Sequence, residues 1–465
     1  MRKTLTTLAA GAALALVLTA CGGGNDSGSS GADGESTGSD AGSGSATIKV
    51  AYQKTDAFTQ LDDLLQKCVG EFEAANDGVT VQLEPIAAQE TEYFTKLALM
   101  HGSAATAPDV IYEDTFQVRS DAAAGYLAPM DDYLADWDGW DQFSDAAKQA
   151  GAGDDGSTYG VSMGTDTRGI YFNKQIFEQA GLPADWQPES WDDILDAART
   201  IKEKVPDVIP FNLYSSKSQG EAASMQGFEM LLYGTGDELY DYDTQKWNVG
   251  APGFVEALTF IQTAQQDGLL PGLEDALDTN LPNRISGELF PQGKVAIIVD
   301  GSWVPGGWMS DGSNSWPEWQ EVAGMAKMPT STGQEPGAVS MSGGWLFSIG
   351  SQSKNPELAF DLIAGCLSQE NSLKYDTENS QIAVRDDVAS DPVYLDYNPS
   401  FEFFSSLVPV THFRPATPDY SQISSQIQVA AESVLTGQAS PEAAAKAYDD
   451  AVTALVGADK TQNAG

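Results

Sequence analysis

The sequence predicts an α/β fold with a largely parallel sheet, arranged as two interleaved lobes. Short β-type runs alternate with amphipathic helical stretches from Thr47 onward, which is the pattern of helices packed on a mostly parallel sheet. No Gly/Ser/Pro linker divides residues 47–458 into consecutive domains, so any two lobes must share the chain by crossing back and forth. Residues 48–52 read as the first strand and 61–75 as the first helix. A second strand at 79–84, a second helix at 90–100 and a third strand at 108–112 complete a βαβαβ unit. Later helices have physical start signals. Ser190 precedes Trp191-Asp192-Asp193 as in a capping box, while Asn355 and Ser440 each precede a Pro-Glu pair. Gly-rich extended stretches at 159–168, 325–332 and 340–350 are the expected crossovers.

Before that body stands an address and a tether. Met1-Arg2-Lys3 is a positive start, an uncharged apolar run follows to Leu18, and Leu18-Thr19-Ala20-Cys21 closes the segment, so residues 1–20 read as a secretory signal. Leu, two small residues and Cys resemble a bacterial lipobox, which would leave Cys21 lipid-modified and anchored to the outer face of the membrane. Residues 22–46 hold nine Gly, seven Ser and four acids. With no apolar side chain larger than Ala they cannot repay their ordering entropy, and residues 21–46 read as a lipidated Cys on a leash reaching about 25–30 Å.

The chain has 465 residues, with 67 acidic against 24 basic side chains and a formal net charge of -43. Such a charge repels nucleic-acid phosphates and anionic lipid head groups, which excludes nucleic acid and a polybasic membrane contact. Two His and three Cys give a soft-metal cage almost nothing to be built from, and no metal or other cofactor is expected. No nucleophile elbow, phosphate-binding loop, zinc-protease helix or dinucleotide fingerprint occurs, which argues against an enzyme. Asp131, Asp132, Asp136, Asp138 and Asp141 miss the calcium-loop spacing and read as a solvated surface. Cys68 and Cys366 each fall on the apolar stripe of a helix and read as small core residues, so two free thiols are expected. Trp303 and Trp308 lie in a Gly/Pro-rich segment directly after an apolar strand, and Trp345 follows Gly343-Gly344. Each is either a platform for the apolar face of a sugar at the carboxyl end of a strand or a ring folded under its own loop.

An ordered set of motifs resembles the sugar-binding proteins of ABC importers, the maltose-binding-like group. The set runs from Pro108-Asp109-Val110-Ile111 and Ala124-Gly125-Tyr126-Leu127-Ala128-Pro129 to Tyr159-Gly160-Val161 and Tyr171-Phe172-Asn173-Lys174. It continues through residues 290–303, Gly343-Gly344-Trp345, Ser353-Lys354-Asn355-Pro356-Glu357 and Arg414-Pro415. The resemblance implies a two-lobed periplasmic-binding-protein type II fold with a three-crossover hinge. Lobe 1 would take 47–162 plus 329–347, lobe 2 would take 163–328 plus 348–458, and 459–465 would be a tail. Cys68 and Cys366 would then lie in different lobes. The resemblance also implies a monomer that captures a disaccharide or short oligosaccharide and delivers it to membrane permease subunits. The rival reading is a secreted, lipid-anchored glycoside-acting enzyme. Positions matching the family's contact sites are Gln53, Lys54, Glu113, Asp114, Phe116, Gln117, Asp166, Arg168, Tyr214, Ser215, Trp303, Trp308, Trp345 and Arg414. In this set the acids would accept from sugar hydroxyls, Arg414 would donate and the tryptophans would stack. Glu113 replaces an aromatic of the maltose binders, and Arg168 with the lengthened crossover 164–169 is unusual, which puts maltose itself in doubt.

Overall fold

A computed structural model describes residues 45–55, 59–88, 90–310 and 312–465, and the signal, Cys21 and nearly all of the leash lie outside them. The predicted βαβαβ unit is present as β1 (Ala46–Lys54), α1 (Gln60–Ala75), β2 (Val79–Ala87), α2 (Glu90–His101) and β3 (Val110–Asp114). Next come α3 (Val118–Ala123), β4 (Leu127–Ala128) and β5 (Gly160–Ser162). A second group of strands follows: β6 (Arg168–Asn173), β7 (Ile209–Asn212), β8 (Tyr240–Asp241), β9 (Lys246–Val249), β10 (Val295–Gly301) and β11 (Ala323–Ala326). The chain then adds β12 (Ser340–Ser342), β13 (Trp345–Gly350), β14 (Thr411–Phe413) and β15 (Thr461–Asn463). The first sheet is ordered β2-β1-β3-β13-β4 with β5 on β13, and the second is ordered β11-β6-β10-β7.

Both sheets are mixed, where a largely parallel sheet was expected. β1 runs parallel to β2 and β3, but β13 is antiparallel to β3, and β6 is antiparallel to β10. The cause lies in the crossovers. β1, β3 and β10 end at the space between the lobes, whereas β6 and β13 begin there because the chain has just crossed it. A crossing strand therefore enters its sheet head to tail with its neighbours.

The cores show where each lobe's chain lies. Ile48, Val50, Tyr112, Val161 and Phe347 pack with Ala359, Phe360, Leu362, Ile363 and Cys366 in the first lobe. The helix Pro356–Cys366 thus belongs to the first lobe, not the second as the resemblance implied; Val384 still packs in the first lobe's core, and the chain settles in the second only at Phe404 and Leu407. Met328, Val339 and Met341 join the second lobe's core with Phe172, Phe211 and Ile427, so residues 329–342 are likewise reassigned. The expected tail is partly a strand: β15 pairs in parallel with β9.

The crossings lie side by side. Thr165 and Ile382 exchange backbone hydrogen bonds of 2.9 and 2.8 Å, and the Thr165 hydroxyl donates to the Gly343 carbonyl at 2.9 Å. A Cβ on Gly344 would stand 2.6 Å from the Gly164 carbonyl, so only glycine lets two crossing strands touch here. Among the described residues no helix is long and apolar enough to cross a membrane.

Cys68 and Cys366 are joined in a disulfide with their Cα atoms 5.1 Å apart, which overturns the expectation of two free thiols. The expectation rested on reading each cysteine as a small core residue of its own helix, reinforced by placing Cys366 in the other lobe. In the structure α1 and the helix Pro356–Cys366 pack against one another, so the bridge stays within one lobe and does not span the hinge. Replacing both cysteines by Ala is expected to lower unfolding free energy by about 2–4 kcal/mol while leaving ligand affinity unchanged. Urea denaturation paired with a binding titration checks both halves, and a thiol titration of the denatured, unreduced protein should find neither cysteine.

Candidate functional site

The strand ends converge on a cleft of about 740 Å³ between the two lobes. That volume lies in the usual small-ligand range of about 300–1,000 Å³. From the first lobe β1 supplies Gln53, β3 supplies Tyr112 and Asp114, and the start of β13 supplies Trp345. The crossings add Asp166, Gln381 and the first residue of β6, Arg168. The second lobe contributes Trp303 after β10, Glu221, and Met225 and Gln226 from the π-helical turn Ala222–Glu229. Arg414 and Gln428 complete the far side.

Two arginine–carboxylate groups form the floor. Arg414 Nη2 stands 2.6 Å from Asp114 Oδ1, and Nη1 stands 3.5 Å from Glu221 Oε2. Its guanidinium lies 4.1 Å above the Phe116 ring, which is buried and supports it from behind. Burial pushes the Asp114 carboxyl up, and the Arg414 guanidinium pulls it part of the way back. Arg168 pairs with Asp166, whose Oδ1 also accepts from the Gly343 amide at 2.9 Å. Around the whole cleft four acids, Glu92, Asp114, Asp166 and Glu221, face three bases, Arg168, Lys217 and Arg414. In a chain of net charge -43 this near-balance is local and specific. It leaves hydrogen-bonding capacity without a strong net field, which suits a neutral polyhydroxyl ligand better than an ion.

Trp345 and Trp303 reach the cleft from opposite lobes, each partly exposed. The Trp345 ring is parallel to Tyr112 at 4.3 Å and nearly parallel to Phe94 at 5.8 Å, forming an aromatic wall. Trp303 lies against Gly301, where a Cβ would meet its ring at 1.9 Å, and carries the Arg168 guanidinium 4.7 Å from its centroid. Gly301 is therefore required for this ring to lie flat.

Several residues at positions matching the family's contact sites stand elsewhere. Trp308 is buried in the second lobe, where its ring nitrogen donates to the Ser286 carbonyl at 2.7 Å. Tyr214 is fully buried and donates to Asp300 at 3.0 Å, and Ser215 is buried beside Gln219. Lys54 is turned to Asp62 at 2.8 Å. Gln117 donates to Ser421 at 3.0 Å, tying the first lobe to a second-lobe helix. Glu113 points away from the cleft, and burial with Asp121 and Asp114 nearby pushes its carboxyl well above the ordinary range. Tyr112, Glu221, Gln226, Tyr375, Gln381 and Gln428 also line the cleft, outside the positions that match the family's contact sites. Strand alternation could have found Tyr112, since a period of two puts it on the same face as Asp114. The others carry no local signal, because they arrive through the crossings and helix ends.

Behind the floor Tyr420 bridges two acids, donating to Glu229 at 2.7 Å and reaching Glu221 at 3.2 Å. Burial, with Glu221 adding, pushes Glu229 up to about 8 from an ordinary 4.5. The folded protein therefore holds a proton that the unfolded chain releases near 4.5. The stability this contributes is fully present below that value and is lost as pH rises toward 8. Glu229→Gln, which keeps the donor contact and cannot ionise, should flatten the decline of the urea midpoint across that window, whereas parallel profiles for the two proteins would contradict it.

Comparison with known proteins agrees with this architecture. The profile of the bacterial extracellular solute-binding protein family matches residues 55–372. The galactooligosaccharide-binding protein of Bacillus subtilis is 24% identical over 372 residues, covering 79% of this chain and 80% of that protein. A solute-binding protein of an ABC transporter from Thermotoga lettingae, solved with α-D-tagatose, is 25% identical with a TM-score of 0.74, covering 88% of this chain and 100% of that one. The GacH receptor of Streptomyces glaucescens, solved unliganded and with acarbose, is 24% identical with a TM-score of 0.74, covering 89% of this chain and 98% of that one.

Proposed function

Because the chain belongs to the bacterial extracellular solute-binding protein family, we propose that it is the capture component of an ABC importer for a disaccharide or short oligosaccharide. The observation that carries this reading is the near-neutral cleft, with two arginine–carboxylate groups on its floor and Trp345 and Trp303 on opposite lobes. Carboxylates and guanidinium groups hydrogen-bond sugar hydroxyls in fixed directions, and aromatic rings cover the apolar C–H faces. The ligands of relatives support a sugar: one relative is a galactooligosaccharide-binding protein and another was solved with α-D-tagatose. Binding draws the lobes together about the three crossings, and the closed form is what membrane permease subunits recognise. Cys21 would hold the exported body to the membrane, while its acidic surface keeps it off anionic lipid.

A thermal-shift screen over neutral mono-, di- and oligosaccharides tests the reading. A saturable rise in melting temperature with a short oligosaccharide, and no product by chromatography, is the expected result. No shift with any sugar would refute the ligand class, and steady product release would instead establish a glycoside-acting enzyme.

A further inference from the structure

We propose that His101, Glu113 and Asp121 form a binding site for a divalent transition-metal cation within the first lobe. One ring nitrogen of His101 and one carboxylate oxygen from each acid all lie within 4.8 Å of one another. They come from three elements: the last residue of α2, the penultimate residue of β3 and the short helix α3. Glu113 is 0% exposed and His101 3% exposed. Apart from the Asp121 carboxyl beside them, both Glu113 carboxylate oxygens and His101 Nε2 lack a hydrogen-bond partner. Buried polar groups are ordinarily satisfied, so three orphaned atoms at one point mark a missing partner. The other charges near Glu113 are those of Asp121 and Asp114, both acids.

A dication answers each of these deficits. It cancels two carboxylate charges, accepts lone pairs from oxygens that have no donor, and uses the imidazole as a neutral nitrogen ligand. One nitrogen and two carboxylates suit Zn²⁺ or a similar first-row ion better than Ca²⁺ or Mg²⁺, which take all-oxygen shells. Groups around the site already orient the histidine. Its ring stacks on Tyr126 at 4.7 Å and 4°, and Gln352 donates to its carbonyl at 2.7 Å.

The site is separate from the cleft but shares its wall. Alternation in β3 sends Glu113 to one side and Tyr112 and Asp114 to the other. α2, which ends at His101, also carries Glu92 and Thr95 at the cleft. A bound ion would pin α2 and α3 to the back of β3 and so stiffen the lobe face that carries Asp114.

The purified protein is stripped with a strong chelator, dialysed, and titrated with Zn²⁺ by calorimetry and with Co²⁺ by visible absorption. The expected result is a single saturable site per chain, a melting temperature raised by several degrees on adding metal, and a Co²⁺ ligand-field band. Glu113→Gln and Asp121→Asn should each lose at least tenfold in metal affinity. Absence of binding and of a thermal shift in the wild-type protein overturns the proposal, leaving the two carboxyl groups to share a proton. Equal metal binding by the wild type and a folded variant, which would place the ion on surface acids, overturns it as well. Should a variant not fold, the wild-type titration alone decides.

Discussion

Arg414→Ala is expected to remove about 3–5 kcal/mol of stability and to abolish ligand capture, the largest effect foreseen for any single substitution in this protein. Arg414 is 5% exposed and lies between Asp114, at 2% exposure, and Glu221, while its planar face rests on Phe116. Truncation would leave two acids facing each other in a desolvated floor and would open a void over a ring. The positions of its neighbours make the loss larger than that of one ion pair. Asp114 pairs with Trp345 across β3 and β13, and Glu221 joins the network through Tyr420 to Glu229. Urea denaturation reads the stability change, and calorimetry with an oligosaccharide identified in the screen reads capture. Arg414→Lys keeps the charge but cannot reach both acids with one rigid fork, so it should recover part of the stability and little of the binding.

Trp303→Ala should weaken oligosaccharide binding by at least about fivefold with only a modest loss of stability. A ring contributes about 1–3 kcal/mol when a sugar face covers it, which corresponds to between roughly fivefold and 150-fold in affinity. Trp303 is only partly buried, resting on the edge of a second-lobe apolar cluster and against Arg168 and the Gly301 backbone, so its loss costs less stability than removal of a fully buried ring. Titration of the variant with the same sugar separates this from a packing role: unchanged affinity would remove the ring from the site. Trp308→Ala provides the contrast. Trp308 is 1% exposed and packs against Tyr171, Phe290 and Trp316, so its loss should act on folding.

The contrast between these two tryptophans shows what the sequence made legible. Both occupy one Gly/Pro-rich segment after an apolar strand, and local composition treats them alike. The short helix Val304–Trp308 turns the second back beneath the loop while the first stays at its entrance. The opening βαβαβ unit was readable because its alternation is local and its register repeats. Strand direction in β6 and β13 was not, since hydrophobic pattern carries no sign for a strand that enters from the hinge. The disulfide was missed for a related reason. Helical spacing showed that Cys68 and Cys366 face inward, but whether they meet depends on which lobe receives the helix Pro356–Cys366. Asp114 and Glu113, adjacent in sequence, were grouped together although strand alternation separates them by a full sheet face. Asp166, Arg168 and Arg414 lay within the motifs and do meet in the cleft.

A crystal structure of the complex with the best oligosaccharide from the screen shows whether the sugar is held in the cleft. The sugar should lie in the cleft between Trp345 and Trp303, with hydroxyls on the Asp114–Arg414 and Asp166–Arg168 pairs and the lobes drawn together. A sugar bound elsewhere on the surface, with these side chains unengaged, would contradict it.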